Sequence, residues 1–166
     1  RDSLRGSKIR LDDKGGASMA LCRAKARRVK DLSLVVIDYC GLVTPSDPRV
    51  SREQQIAGIS KDAKLLAEEL DCPVLLLSQL NRSAEQASRE PRLSDLRESG
   101  ALEQDADNVM LLHQDDVHDR EGVTLILAKN RFGETGRMKL KFDREVQTFK
   151  KYESRGKQGY RSPFIN

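Results

Sequence analysis

Tryptophan is absent from the 166 residues, and aromatic residues make up only 4% while charged residues make up 34%. A sandwich core built on aromatic packing does not suit that composition; a helix-rich α/β domain does. The three cysteines, Cys22, Cys40 and Cys72, lie far apart and show no Cys-x-x-Cys spacing. A disulfide framework is thereby excluded, and reduced thiols serving as core filler are expected. No apolar stretch approaches the ~18 residues that a membrane span needs, and the N-terminus lacks signal-peptide architecture. The expected location is cytoplasmic, with no membrane partner. One more absence bears on chemistry: the phosphate-loop pattern Gly-x-x-x-x-Gly-Lys-[Ser/Thr] occurs nowhere. The one Gly-Lys step, Gly156–Lys157, has no strand before it and no apolar helix after it. The backbone cradle and lysine that hold nucleotide phosphates are therefore missing from these residues.

What is present fits one domain with a real core. The formal net charge of +4 and a pI near 9.0 mildly favour a polyanionic partner. Ser18 is placed to cap a helix over 19–30, "MALCRAKARRVK", and "KIRL" before it is a short extended candidate. Ser51 and Gln54 form a capping-box pattern ahead of a second helix. In that helix Ile56, Ile59, Ala63, Leu66 and Leu70 recur at steps of three and four, which gives one apolar face. Strands are expected over "LSLVVID" (32–38), "CPVLLLSQ" (72–79) and "NVMLLH" (108–113). "VTLILAKN" (123–130) and "RMKLKFD" (137–143) read as a pair across "RFGETG", with a short last strand at "QTF". Strand–helix–strand order with unbroken apolar strands predicts a mostly parallel sheet flanked by helices. Residues 1–149 are assigned to the domain and 150–166 to a loose basic tail.

Asp38 ends the first apolar strand, at the crevice where open α/β sheets bind ligands; a helix cap or surface ion pair is the plain alternative. Gln79 ends the next strand in the same way, and a neutral amide there suits a terminal phosphate or an attacking water. Lys129 and Arg131 flank a turn, either as solvated charges or as cations that need an anion between them. On its residues alone "SDLRES" (94–99) reads as an N-capped surface helix with a Glu/Arg pair rather than as a phosphate-gripping loop. His113 and His118 lack any spacing that suggests zinc, and neither is assigned a role.

Four stretches, "VVIDY", "CPVLLLSQLNRS", "SDLRESGALEQDAD" and "AKNRFGETG", resemble in order and spacing the C-terminal motor domain of bacterial and phage replicative DNA helicases, the DnaB family. The resemblance runs from about residue 8 to residue 149. It implies a RecA-like α/β fold, a homo-hexameric ring and ATP-driven movement along single-stranded DNA, with a primase and a helicase loader as partners. It further implies that Asp38 is the Walker B aspartate positioning Mg2+ and that Gln79 feels the γ-phosphate of ATP. Arg97, Glu98 and Gly100 fall on the DNA-contacting loop. Lys129 and Arg131 match the pair that reaches the neighbouring subunit's nucleotide, Arg131 as an arginine finger. By the same resemblance the phosphate loop and a catalytic glutamate lie upstream of the matched part, so the chain is expected to be the second half of a motor domain and inactive alone.

Two positions depart from the family pattern: Gly41 stands where Gln is common, and Phe132 precedes Gly133 where Asn-Gly is usual. A RecA- or KaiC-type ATPase would use Asp38 and Gln79 equally, but the "SDLRESGALEQDAD" loop argues against it. A non-catalytic DNA-binding or assembly module that has lost its phosphate loop is the reading from a different class.

Overall fold

The computed structural model describes residues 8–81, 89–96, 100–114 and 121–152. Arg97, Glu98, His118 and residues 153–166 of the expected tail lie outside them. The first helix, α1 (Met19–Ala26), starts where Ser18 Oγ accepts the Leu21 N–H at 3.3 Å. It ends earlier than residue 30. Arg28 and Val29 donate to the carbonyls three residues back, and Asp31 then turns left-handed at φ 54. Tighter i→i+3 bonds of this kind commonly close a helix. "KIRL" forms no strand; an isolated bridge between Ser18 and Thr44 is the sheet-like contact nearby.

Strand β1 (Val35–Ile37) leads through a 3-10 turn (Cys40–Leu42) to α2 (Arg52–Leu70), and β2 (Val74–Leu76) follows. Ser51 and Gln54 form the anticipated capping box, each side chain accepting the other's backbone N–H. Ile56, Ile59, Ala63 and Leu66 are buried on one face of α2, and Leu70 packs at its end. Asp71 closes the helix in the left-handed conformation at φ 47, its N–H bonded to the Ala67 carbonyl, a role that short polar residues accept. The α2 face packs on Met19, Ile37, Cys40 and Val43 and on the partly buried strand residues Val35, Val74 and Leu76. The other face of the β1–β2 pair is open: Val36 is 53% exposed and Leu75 40%.

Strands β1 and β2 pair in parallel, as a crossover helix demands. The later strands do not. After a short helix α3 (Gly100–Asp105), strands β3 (Asn108–Gln114), β4 (Gly122–Asn130), β5 (Gly136–Asp143) and β6 (Thr148–Lys151) form an antiparallel meander in chain order. Among the described residues, the expected parallel pairing is thus confined to β1–β2. The reason is the connections: residues 115–121, 131–135 and 144–147 are too short for a crossover, which takes a dozen or more residues. β6 also carries the sheet through Lys151, past the boundary drawn at residue 149, with Phe142 and Phe149 ring centroids 4.7 Å apart. A second core joins Val109, Leu111 and Ile126 to the partly buried Leu80, Leu93 and Leu96, so the polar segment after β2 is anchored on the meander. Cys40 and Cys72 are buried and Cys22 half-buried, all three free. No helix among the described residues is long and apolar enough to cross a membrane.

Candidate nucleotide and DNA-facing site

The parallel ladder continues past the ends of its strands. Leu77 N–H donates to the Ile37 carbonyl at 3.0 Å, and Cys40 N–H donates to the Leu77 carbonyl at 2.9 Å. Leu77 is therefore bracketed by the segment that carries Asp38, and Gln79 follows two residues later. Asp38, one residue past β1, and Gln79, three residues past β2, thus leave the same end of the parallel pair. Both are exposed. Among the described residues neither side chain has a hydrogen-bond or ion-pair partner. No cluster of three or more His, Cys, Asp or Glu occurs there either. A lone exposed carboxylate suits Mg2+, which keeps most of its waters and takes one or two carboxylates plus substrate phosphates. The residues present therefore fit that ion.

Gly41, the first departure from the family pattern, lies against the ring of Tyr39. A Cβ there would lie 2.3 Å from Cε2 of Tyr39, whose ring fills the space. Arg52 Nη2 also donates to the Gly41 carbonyl at 3.2 Å. Tyr39 thus occupies the volume a longer side chain at residue 41 would need.

Lys129 and Arg131 meet at the far end of α3. Lys129 Nζ donates to the carbonyls of Glu103 at 2.5 Å and Gln104 at 3.3 Å, in the last turn of that helix. Cations are favoured at this end of a helix dipole. Arg131 donates twice to Asp107, from Nη1 to Oδ1 and from its backbone N–H to the carbonyl, each at 2.9 Å. The other carboxylate oxygen of Asp107 receives Lys64 Nζ of α2 at 2.7 Å. These bonds, that of Lys64 foremost and that of Arg131 next, hold the Asp107 pKa below the ordinary carboxylate value. The expectation that the two cations need an anion therefore has an answer inside the chain: Asp107 serves Arg131 and helix carbonyls serve Lys129. A register shift opposite Val109/Met110 leaves Ala128 as the extra residue of β4, directly before Lys129. Bulges of this kind re-aim the side chains next to them.

The turn beyond Arg131 is held by Asn130. Its Nδ2 donates to the Glu134 carbonyl at 3.0 Å and its Oδ1 accepts the Phe132 N–H at 3.3 Å. A Cβ at Gly133 would lie 2.9 Å from that Nδ2, so a larger residue there would push the Asn130 amide aside. Phe132 itself is 85% exposed, and its presence in place of Asn leaves the turn hydrogen bonds intact.

Gly100 opens α3. A Cβ added to it would meet no described atom within 4 Å, so nothing within the described fold demands glycine. The approach to this loop is fixed by a residue that composition and spacing did not single out. Asp95 is 5% exposed. Its carboxylate receives both Arg89 Nη atoms, at 2.7 and 2.9 Å, and the Arg92 N–H at 2.8 Å. The Arg89 fork first, and the Arg92 amide second, bring its pKa down to about 2. The Asp95 carbonyl accepts the Asn81 N–H at 3.1 Å, which closes the segment between β2 and α3. The available signal was a carboxylate three residues after Arg92 in an otherwise apolar-anchored turn. Among the described residues no hydrogen bond or ion pair links the Asp38–Gln79 edge to the Lys129–Arg131 corner.

The chain matches the family described as DnaB-like helicase C terminal domain over residues 1–151. The replicative DNA helicase DnaB of Mycobacterium leprae (strain TN) is 49% identical over 134 residues, covering 75% of this chain and 22% of the relative. The replicative DNA helicase DnaC of Bacillus subtilis (strain 168) is 40% identical over 163 residues, covering 92% and 36%. Among solved structures, a DnaB-like replicative helicase studied with its interactions with primase superposes at a TM-score of 0.86. It is 40% identical, with 92% of this chain and 39% of that one covered. A second solved structure, an ATPase domain, superposes at 0.85 with 39% identity, covering 92% and 57%. The chain thus spans between 22% and 36% of the two curated relatives' lengths. With the helicase-type ATPase fold and the matched motifs together, the chain belongs to the DnaB-like helicase C-terminal domain family.

Proposed function

We propose that this chain is the DNA-facing and neighbour-facing portion of an ATP-dependent replicative DNA helicase, working in a homo-hexameric ring on single-stranded DNA. The observation that carries this reading is the ladder around Leu77, which leaves Asp38 and Gln79 uncommitted at one sheet edge in a helicase-type ATPase fold. ATP would be hydrolysed to ADP and phosphate by water. Asp38 would hold Mg2+, through water, and the bound ion would supply positive charge to the phosphates. Gln79 orients the γ-phosphate or the attacking water with a neutral amide. Arg97 and the backbone N–H groups around Gly100, on the loop that also carries Glu98, grip DNA phosphates without reading bases, which a motor indifferent to sequence needs. Lys129 and Arg131 direct positive charge at the phosphates of a neighbouring subunit's ATP. Primase and a loader are the protein partners in this reading; one close structural relative was studied with its interactions with primase.

A phosphate loop must come from outside these 166 residues, because none occurs within them. The complete protein should therefore hydrolyse ATP in a manner stimulated by single-stranded DNA and unwind forked duplexes. The 166-residue chain should turn over ATP no faster than background. Robust magnesium-dependent turnover by the isolated chain would overturn this division of labour.

A further inference from the structure

Arg131 is the first residue after β4, at the start of a turn, where a long side chain would ordinarily sample many rotamers. Here it is tied at two levels, its backbone N–H and its Nη1 both bonded to Asp107. Asp107 is itself tied, since Lys64 of α2 occupies its second carboxylate oxygen at 2.7 Å. The tether occupies one of the five N–H donors of the guanidinium, and the Arg131 side chain remains 54% exposed. Lys129 is fixed to the same short stretch through the carbonyls of Glu103 and Gln104. The stretch begins at Gly100 and runs through α3 to Asp107, so one continuous piece carries the DNA-loop glycine at its start and both cations at its end.

We propose that Asp107 is a positioning residue for Arg131: anchored by Lys64, it aims the guanidinium while leaving its remaining donors for a phosphoryl group across the subunit boundary. This rests on the role of Arg131 given above. A finger that must be ordered at the moment of reaction loses rate to its own rotamer freedom, whereas one ordered in advance does not. A surface arginine bound to nothing would have to find its geometry on each turnover. Asp107 removes that search, and the remaining N–H groups supply the stabilisation.

The test is a double-mutant cycle in the complete hexameric protein, read as the single-turnover rate of bound ATP, which resolves slow hydrolysis. Asp107→Ala should lower that rate about 10-fold or more, with the KM for ATP and ring assembly unchanged. In an Arg131→Ala background the same substitution should have no further effect, because it acts through Arg131. Asp107→Asn, which keeps an acceptor oxygen for Nη1, should retain an intermediate rate and serves also if the alanine variant does not assemble. Full activity in Asp107→Asn and Asp107→Ala, or equal losses with and without Arg131, would overturn the inference while leaving the finger itself intact. A wild-type rate in Arg131→Ala alone would instead overturn the finger, and this inference with it.

Discussion

Two parts of the molecule treat their polar side chains in opposite ways. At the β1–β2 edge, Asp38 and Gln79 stand exposed with no partner among the described residues. At the end of α3, Lys129 and Arg131 are bound by helix carbonyls and by Asp107, which is bound in turn by Lys64. In the proposed function the difference follows from what each group does. A carboxylate and an amide that meet a metal and a phosphate need open coordination positions. The ends of two long cationic side chains are not placed by the backbone alone. They must be ordered by neighbours before they can act on a defined point in space.

The sharpest way to break this contrast is at Arg131. In the complete protein, Arg131→Ala should leave nucleotide binding and ring assembly nearly intact and lower ATP turnover by ~10³-fold, the usual scale of an arginine finger. A loss confined to KM would make the residue a binding group only. At the open edge, Asp38→Asn should weaken the apparent Mg2+ affinity seen in hydrolysis by roughly 10- to 100-fold, as for other residues that hold a metal through its waters. A magnesium titration of the ATPase reads this directly, and an unchanged midpoint would remove Asp38 from the metal.

Smaller effects sharpen the loop that connects the two regions. Gly100→Ala fills space that no described atom uses. It should leave stability unchanged or raise it by up to about 1 kcal/mol. Single-stranded DNA binding should weaken about 5-fold if one backbone hydrogen bond to a phosphate is lost. Normal DNA affinity would mean that glycine there serves no ligand. The Asp95 clasp predicts a pH window. Its folded pKa of about 2 lies below the ordinary value of 3.8. The stabilisation is thus fully present above about pH 4 and is lost as pH falls through 2. The Tm difference between wild type and Asp95→Asn should shrink over that interval, and a constant difference would show that the carboxylate's charge is irrelevant.

Much of this was legible in the sequence because it depends on local chemistry. The 51–54 capping box and the apolar face from Ile56 to Leu70 follow from short-range periodicity and spacing. The antiparallel run from β3 to β6 was less legible as a sheet, since apolar strands look alike until their connections are measured. The partners of Arg131 were not legible. Asp107 lies 24 residues away in sequence and Lys64 a further 43 from Asp107, and only tertiary packing brings the three together. Asp95 escaped for a different reason: in sequence a turn carboxylate resembles any solvated charge, and only burial distinguishes it.

In the proposed function one subunit's Arg131 completes another subunit's site, and subunit mixing tests this most directly. Complete protein carrying Arg131→Ala is combined with complete protein that keeps Arg131 but has its own phosphate-loop lysine replaced; each should be inactive as a pure ring. In mixed rings, every boundary where a lysine-intact site faces an Arg131-bearing neighbour holds one full set of groups. ATP hydrolysis should therefore return on mixing, in proportion to the number of such boundaries. Mixed hexamers that demonstrably form and still fail to hydrolyse ATP would contradict the account and return Arg131 to its own subunit.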